Sequence, residues 1–267
     1  MGRPAGKIVH RGHCGNTLVE VIDTGDQRSL YFSGNVLQSV IYRSTPHDLV
    51  LSYTQHMMSA LLLNRFPEQV LLVGLGAGSM VGFLHHHLPL CHIDAIDSSQ
   101  YIIDLARGYF QLPDSPEIAI QCCDGHDYVA GRSEDKPPYD LILIDAFDHS
   151  GMSASIYCAD FFKLCLQNLK PNGILSLNLW SGDGKRMIAV KNDLATCFSS
   201  VIELPVPDRG NVICLAGKKT NLIYTLELSH QDQANLSAQY GINFRKIIKT
   251  CFKHNFGFRQ KLARFFF

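Results

Sequence analysis

Between residues 69 and 180 the chain alternates short aliphatic runs with amphipathic segments, and few folds satisfy that pattern. The runs are QVLLVGLG, HIDAID, IAIQCCD, YDLILID and ILSLNLW. Between them lie SMVGFLHHHL, which ends at Pro89, YIIDLARGYF, and FFKLCLQNL, which stops at Lys170-Pro171-Asn172-Gly173. Strands that are apolar along their whole length are covered on both faces, and helical connections make such strands parallel. The class is α/β with a Rossmann-like sheet. Farther on, the helical segment MIAVKNDLATCF precedes SVIELPV and NVICLAGKK. A Pro-Asp-Arg-Gly-Asn turn joins these two as a terminal hairpin that adds an antiparallel strand.

Segments of different character flank this region. Residues 17–42 alternate, are rich in β-formers and turn at Thr24-Gly25-Asp26 and Ser33-Gly34-Asn35, which predicts a small N-terminal antiparallel β-sheet of two or three strands. Residues 47–64 carry apolar positions at helical spacing and predict one helix ending near Asn64. From Gly241 onward there are seven Lys/Arg and no acid, interleaved with phenylalanine up to Phe265-Phe266-Phe267. Two readings fit: a short helix that docks its phenylalanines on the domain, or a basic amphipathic segment for a partner or an anionic surface. The predicted organisation is 1–66, a β-hairpin region with a linking helix; 67–220, a Rossmann-like nucleoside-binding catalytic domain; and 221–267, a basic, Phe-rich tail.

Composition excludes several classes of function. With 46% hydrophobic residues, 18% charged residues and zero formal net charge, the chain reads as globular and soluble, with no nucleic-acid partner expected. No apolar run is long enough for a membrane span, and MGRPAGKIVHRG lacks the apolar core of a secretion signal. Nine scattered cysteines without a CxxC read as free thiols of a reducing, cytoplasmic setting. His85-His86-His87 looks like a metal cluster, yet successive helical residues diverge by about 100°, so no metal is expected there.

The strongest motif is Gly74-Leu75-Gly76-Ala77-Gly78-Ser79, between a strand and a helix. Glycines there let backbone approach a ligand closely, and the helix start offers unpaired N–H groups. Asp97 closes the next strand, where a carboxylate accepts from ribose hydroxyls; it also suits a cap for the following helix. Asp124-Gly125 closes the third strand, placed for an adenine amino group or for a plain Asp-Gly turn. The three sites fall at the carboxyl ends of successive strands, where open α/β sheets bind ligands. The GxGxG form with a downstream Asp-Gly favours an adenosyl sulfonium over a dinucleotide.

These residues, with others, resemble the polyamine aminopropyltransferases, or spermidine synthase-like proteins, over about residues 17–217. Arg28-Ser29-Leu30 and Ser33-Gly34-Asn35-Val36-Leu37-Gln38 are similar to that family's R-x-L…DG-x-x-Q hairpin. Asp145-Ala146-Phe147-Asp148-His149-Ser150-Gly151 lies where the family has Asp-Ser-Ser-Asp-Pro-x-Gly. The resemblance implies a seven-stranded, mostly parallel methyltransferase-type sheet with an N-terminal β-sheet lid. It implies that Gln38 touches the nucleoside, Asp97 binds ribose, Asp124 lies at the adenine, Asp145 is catalytic and Asp148 binds the amine. The donor would be decarboxylated S-adenosylmethionine or S-adenosylmethionine, the acceptor a small-molecule amine such as putrescine. A homodimer stays open. The chain departs from the family at Ala77, where an aspartate usually holds the aminopropyl amine, and at Val50-Leu51-Ser52, where Tyr-His-Glu is usual and the nearest aromatic is Tyr53. The short form is similar to a divergent bacterial branch.

The paired acids suit the chemistry of an amine attacking carbon beside a sulfonium: one takes a proton and the other binds an ammonium. His126 and His149 are further bases in principle, each a lone loop histidine. Trp180 either walls the acceptor pocket or caps the sheet. Two alternatives remain open at this level: a methyltransferase using intact S-adenosylmethionine, and a non-catalytic nucleoside-binding homologue. The departure at Ala77 leads to the expectation that Ala77→Asp shifts preference toward the decarboxylated donor.

Overall fold

A computed structural model describes residues 6–133, 135–148, 151–207 and 209–263, without the side chains of Asp148 and of residues 257–263. Four antiparallel strands come first, paired in chain order: β1 (Lys7–Cys14), β2 (Thr17–Thr24), β3 (Gln27–Phe32) and β4 (Val36–Tyr42). The alternation of residues 17–42 foretells three of them. β1 escapes it because it is an edge strand with no fully buried residue, so burial imposes no alternation on KIVHRGHC.

The helix expected over 47–64 is shorter and broken, as α1 (Ser52–Met57) and α2 (Ala60–Leu63). The break has a tertiary cause. The Met57 carbonyl accepts from Ser176 Oγ at 3.1 Å, and the Leu61 N–H turns to the Met58 carbonyl at 3.0 Å.

The main layer runs β5 (Gln69–Val73), α3 (Ser79–His87), β6 (His92–Asp97), α4 (Gln100–Tyr109), β7 (Ile118–Cys122), α5 (Gly125–Ala130) and β8 (Tyr139–Ile144). It continues through the two-residue strands β9 (Phe147–Asp148) and β10 (Gly151–Met152), then α6 (Ala159–Asn168), β11 (Leu169–Trp180), α7 (Gly184–Cys197), β12 (Ser200–Pro205) and β13 (Asn211–Gly217). Seven of these strands form one sheet in the order β12-β13-β11-β8-β5-β6-β7. β13 runs opposite to the other six strands, which are parallel to one another. The fold is the mostly parallel, methyltransferase-type α/β sheet with a small N-terminal antiparallel sheet. β8 is buried at every position, as its uninterrupted YDLILI demands of a central strand.

The C-terminal segment is not a tail. It forms α8 (Leu222–Thr225), α9 (His230–Tyr240) and α10 (Phe244–Ala263). Leu222, Leu226, Leu236, Tyr240, Ile242, Phe244, Ile247, Ile248 and Cys251 share one buried cluster with Val70, Leu72, Ile202 and Leu215. The docking reading therefore holds for α10 as far as Cys251, in a helix of 20 residues rather than a short one. Phe265, Phe266 and Phe267 lie outside the described residues. Among the described residues no helix is long and apolar enough to cross a membrane.

The N-terminal sheet sits on the start of α3 and on α4 through Val19, Val21, Leu30, Ile41, Ala77, Ile102, Leu105 and Phe110. Ala77 is 1% exposed in that cluster. This overturns the expectation that residue 77 addresses a ligand's tail: its side chain is a packing contact between sheet and glycine loop. Ala77→Asp puts a carboxylate among aliphatic groups, and destabilisation of roughly 3 kcal/mol is expected. The buried group's pKa is raised above its unfolded value, so the loss is smallest below the unfolded pKa and grows as pH rises toward the folded one. Thermal melts of wild type and variant at several pH values measure it. An unchanged melting temperature at neutral pH refutes the packing role.

Candidate active site

Four strand ends line up in the order β8, β5, β6, β7, and backbone hydrogen bonds knit them beyond the last ladder pair. Asp145 N donates to Val73 O at 2.8 Å, Gly74 N to Ile96 O at 2.8 Å, and Cys123 N to Asp97 O at 3.1 Å. With neighbouring strands about 4.8 Å apart, Asp145, Gly74, Asp97 and Asp124 form a row spanning about 14 Å. The parallel register that makes the row is the reason acids far apart in sequence share one rim.

Gly74 has φ +96°, and a Cβ there would overlap the Asp145 carbonyl. The two loops thus meet backbone to backbone, and only glycine fits. Gly76 and Gly78 also have positive φ, at +55° and +78°. Gly125 is buried against Val73, and a side chain there would overlap Val73 Cγ1.

Asp97 does not cap α4. Ser99 does, accepting from Ile102 N. Asp97 Oδ2 instead accepts from Leu75 N at 3.1 Å and Oδ1 from Ser99 N at 2.9 Å. Burial pushes its carboxyl above the usual range, against the pull of the Ser99, Leu75 and Gly76 amides. A carboxylate has about four acceptor directions, so Asp97 keeps capacity for further donors.

Asp124 caps α5: Oδ1 accepts from His126 N at 2.7 Å and Asp127 N at 3.2 Å. It is exposed at the outer end of the row. Asp124, His126 and Asp127 bring ligand-type atoms within 4.8 Å of one another, the arrangement of a capped helix start.

Gln38 lies at an irregularity of β4, where Leu30 faces Ser39 while Tyr31 already faces Leu37. A bulge of this kind re-aims a side chain. Its neighbour Ser39 Oγ accepts from Ala77 N at 3.4 Å, which brings β4 against the glycine loop.

Asp145 is half-buried, and side chains from two other elements hold both of its oxygens. Tyr53 OH donates to Oδ2 at 3.0 Å and Asn178 Nδ2 to Oδ1 at 2.7 Å. Burial raises its pKa above the ordinary carboxylate value, and the two donors oppose that rise. Burial, and then the Asp145 charge, push the Tyr53 hydroxyl far up. Asp148 falls on β9, and His149 lies outside the described residues.

Sequence reasoning missed Asn178. The available signal was Ser176 and Asn178 alternating inside the apolar run ILSLNLW, two polar groups on one face of a buried strand. Trp180 is 48% exposed at the end of β11, with its indole against Gly182 and Gly210. His86 stacks on His47 at 3.7 Å, while His87 packs edge-on to Tyr240 and to His86 itself. The nine cysteines are free thiols.

Sheet order, glycine loop and strand-end acids together define a class, the methyltransferase-type α/β proteins. Within it, the spermine/spermidine synthase domain matches residues 51–201. A polyamine aminopropyltransferase of Chromobacterium violaceum is 33% identical over 231 residues, covering 86% of this chain and 87% of that protein. The chain belongs to the spermine/spermidine synthase family. In structure it is similar to spermidine synthase from Thermotoga maritima, with TM-score 0.74 and 15% identity over 96% of this chain and 88% of the other. It is also similar to human methyltransferase-like protein 13 in complex with SAH, with TM-score 0.64 and 23% identity over 73% of this chain and 93% of the other.

Proposed function

We propose that this protein is an aminopropyltransferase that moves the aminopropyl group of decarboxylated S-adenosylmethionine to a small amine such as putrescine. Family membership supports the reaction class. The observation that carries the assignment of residues is the row of strand ends, with half-buried Asp145 held by Tyr53 and Asn178. In this reading Gly74, Gly76 and Gly78 cradle the nucleoside, Asp97 accepts from the ribose, Asp124 and Gly125 flank the adenine, and Gln38 closes over the nucleoside from the N-terminal sheet. The sulfonium of the donor activates the adjacent carbon. The amine nitrogen forms the new N–C bond as the C–S bond breaks, and the thioether nucleoside leaves with the electron pair. Asp145 takes the proton that the nitrogen loses. Its raised pKa suits a base, because a more basic carboxylate accepts a proton more readily. Asp148 anchors the ammonium group.

A second reading, methyl transfer from intact S-adenosylmethionine, has one observation in its favour. The glycine loop from Gly74 to Gly78 carries no acid at any position, so no carboxylate of the loop repels the methionine carboxylate. Mass analysis of products from both donors with a panel of diamines separates the readings by the mass added.

The nucleoside site has its own test. Asp97→Ala is expected to weaken 5′-methylthioadenosine binding by about 1–3 kcal/mol, the cost of unpaired ribose hydroxyls. Titration calorimetry reads it, and equal affinities in wild type and variant remove Asp97 from the site.

A further inference from the structure

Asp145 ends a chain of side-chain amides. Asn178 Nδ2 donates to Asp145 Oδ1 at 2.7 Å, and Asn211 Nδ2 donates to Asn178 Oδ1 at 3.0 Å. Asn178 is 2% exposed on β11, opposite Ile213, while Asn211 starts β13 opposite Trp180. The two asparagines are therefore diagonal neighbours across one antiparallel ladder, within reach of each other.

An ionised carboxylate only accepts hydrogen bonds, whereas an amide carries a donor on one arm and an acceptor on the other. A rotated Asn178 would turn Oδ1 toward Asp145, and only the protonated acid can donate to it. Building on the proposed role of Asp145 as base, we propose that Asn211 is a positioning residue: by occupying Asn178 Oδ1 it turns the Asn178 NH2 toward Asp145 and so holds Asp145 in its proton-accepting form. Asn211 acts through Asn178 alone.

The other groups around Asp145 do not make this selection. Tyr53, on α1, donates at 3.0 Å, but a hydroxyl serves equally as donor or acceptor. Tyr157, before α6, donates to the Asn178 backbone carbonyl at 3.0 Å, which fixes the strand and leaves the amide arms free to exchange. Burial pushes both phenols far above the range in which a carboxylate titrates, so neither changes charge there. Arg209, on the turn between β12 and β13, acts on Tyr53 as a nearby positive charge. Asp148 follows on the same β8–β9 segment.

The test is a carboxyl-carbon NMR titration of protein labelled with 13C-aspartate, the Asp145 resonance being assigned by its loss in Asp145→Asn. Asn178→Leu removes the donor and should raise the Asp145 midpoint by about one pH unit. Asn211→Leu, which leaves Asn178 in place and changes no charge, should recover at least half of that rise. In the transfer assay the acidic limb of the kcat profile should move upward equally, with KM for the donor nucleoside unchanged. Asn211→Ala provides the same loss of donor without added bulk if the leucine variant does not fold. A purely structural role predicts a lower melting temperature with an unmoved midpoint. That result, or a shift in Asn178→Leu that neither Asn211 variant shares, overturns the proposal. If the wild type transfers no aminopropyl group to any amine while the midpoint still moves in Asn211→Leu, the functional assignment falls and the positioning role stands.

Discussion

Asp145→Asn is expected to bind 5′-methylthioadenosine as tightly as wild type and to lose about 10²–10⁴-fold in kcat, the range for removing a general base. The substitution is nearly isosteric: with its oxygen toward the Asn178 NH2, the new amide presents its own NH2 to Tyr53, whose hydroxyl can accept instead of donating. The local structure therefore loses little. What disappears is the capacity to take a proton from the attacking nitrogen. The same assignment fixes a pH dependence. Transfer by the wild type needs the carboxylate, and burial sets its pKa above the usual carboxylate range. The rate should therefore rise with pH through that raised pKa and level off above it. Asp148→Asn should behave differently, raising KM for the amine while retaining much of kcat at saturation, because an anchor contributes binding before the transition state. Steady-state kinetics with decarboxylated S-adenosylmethionine and a varied diamine separate the two outcomes. Wild-type turnover in Asp145→Asn would remove that residue from the chemistry.

Truncation after residue 220 is expected to abolish cooperative folding. The sheet face formed by Ile202, Leu204, Ile213 and Leu215 is buried in one cluster with Leu236, Tyr240, Phe244, Ile247, Ile248 and Cys251. Removing the helices exposes that face, at roughly 1.5–3 kcal/mol per large apolar side chain. Together these losses reach the whole stability of an ordinary domain, about 5–15 kcal/mol. Polar contacts go as well: Asn255 Oδ1 accepts from Glu203 N at 3.1 Å, and its Nδ2 donates to Glu203 O at 2.7 Å. A chain ending at Phe256 keeps all of these contacts and should melt cooperatively. Circular dichroism melts and dye binding to exposed apolar surface distinguish the two truncated chains. A cooperative melt of the 1–220 chain near the wild-type temperature would show that residues 221–267 are dispensable.

Much of the frame was legible in the chain itself. Uninterrupted aliphatic runs such as YDLILI require burial on both faces, and glycines between such a run and a helix require a tight turn. Strand-end acids follow from the same local pattern, so Asp97, Asp124 and Asp145 could be placed on one rim before any register was known. Local patterning also has a limit, because it records what a residue needs and not what it meets. β1, an edge strand, brings only the half-buried Val9 and Cys14 to the core and left no alternation. The basic C-terminal stretch looked like a tail because its seven Lys/Arg stand without an acid, while the helical spacing of Phe244, Ile247, Ile248 and Cys251 serves the core. The resemblance set the side chain of Ala77 toward a ligand, whereas the N-terminal sheet lies over it. The setting of Asp145 was the least legible part. Its donors Tyr53 and Asn178 are 92 and 33 residues away along the chain, on a broken helix and a strand. The sequence by itself determined the layers, the glycine turn and which acids stand at strand ends, since these depend on hydrophobic period and turn chemistry. Which amide meets Asp145, which way it points and which face Ala77 covers were decided only by tertiary structure. Hydrogen bonds of that kind depend on the register of one strand against another to a fraction of a residue, and no local pattern carries that information.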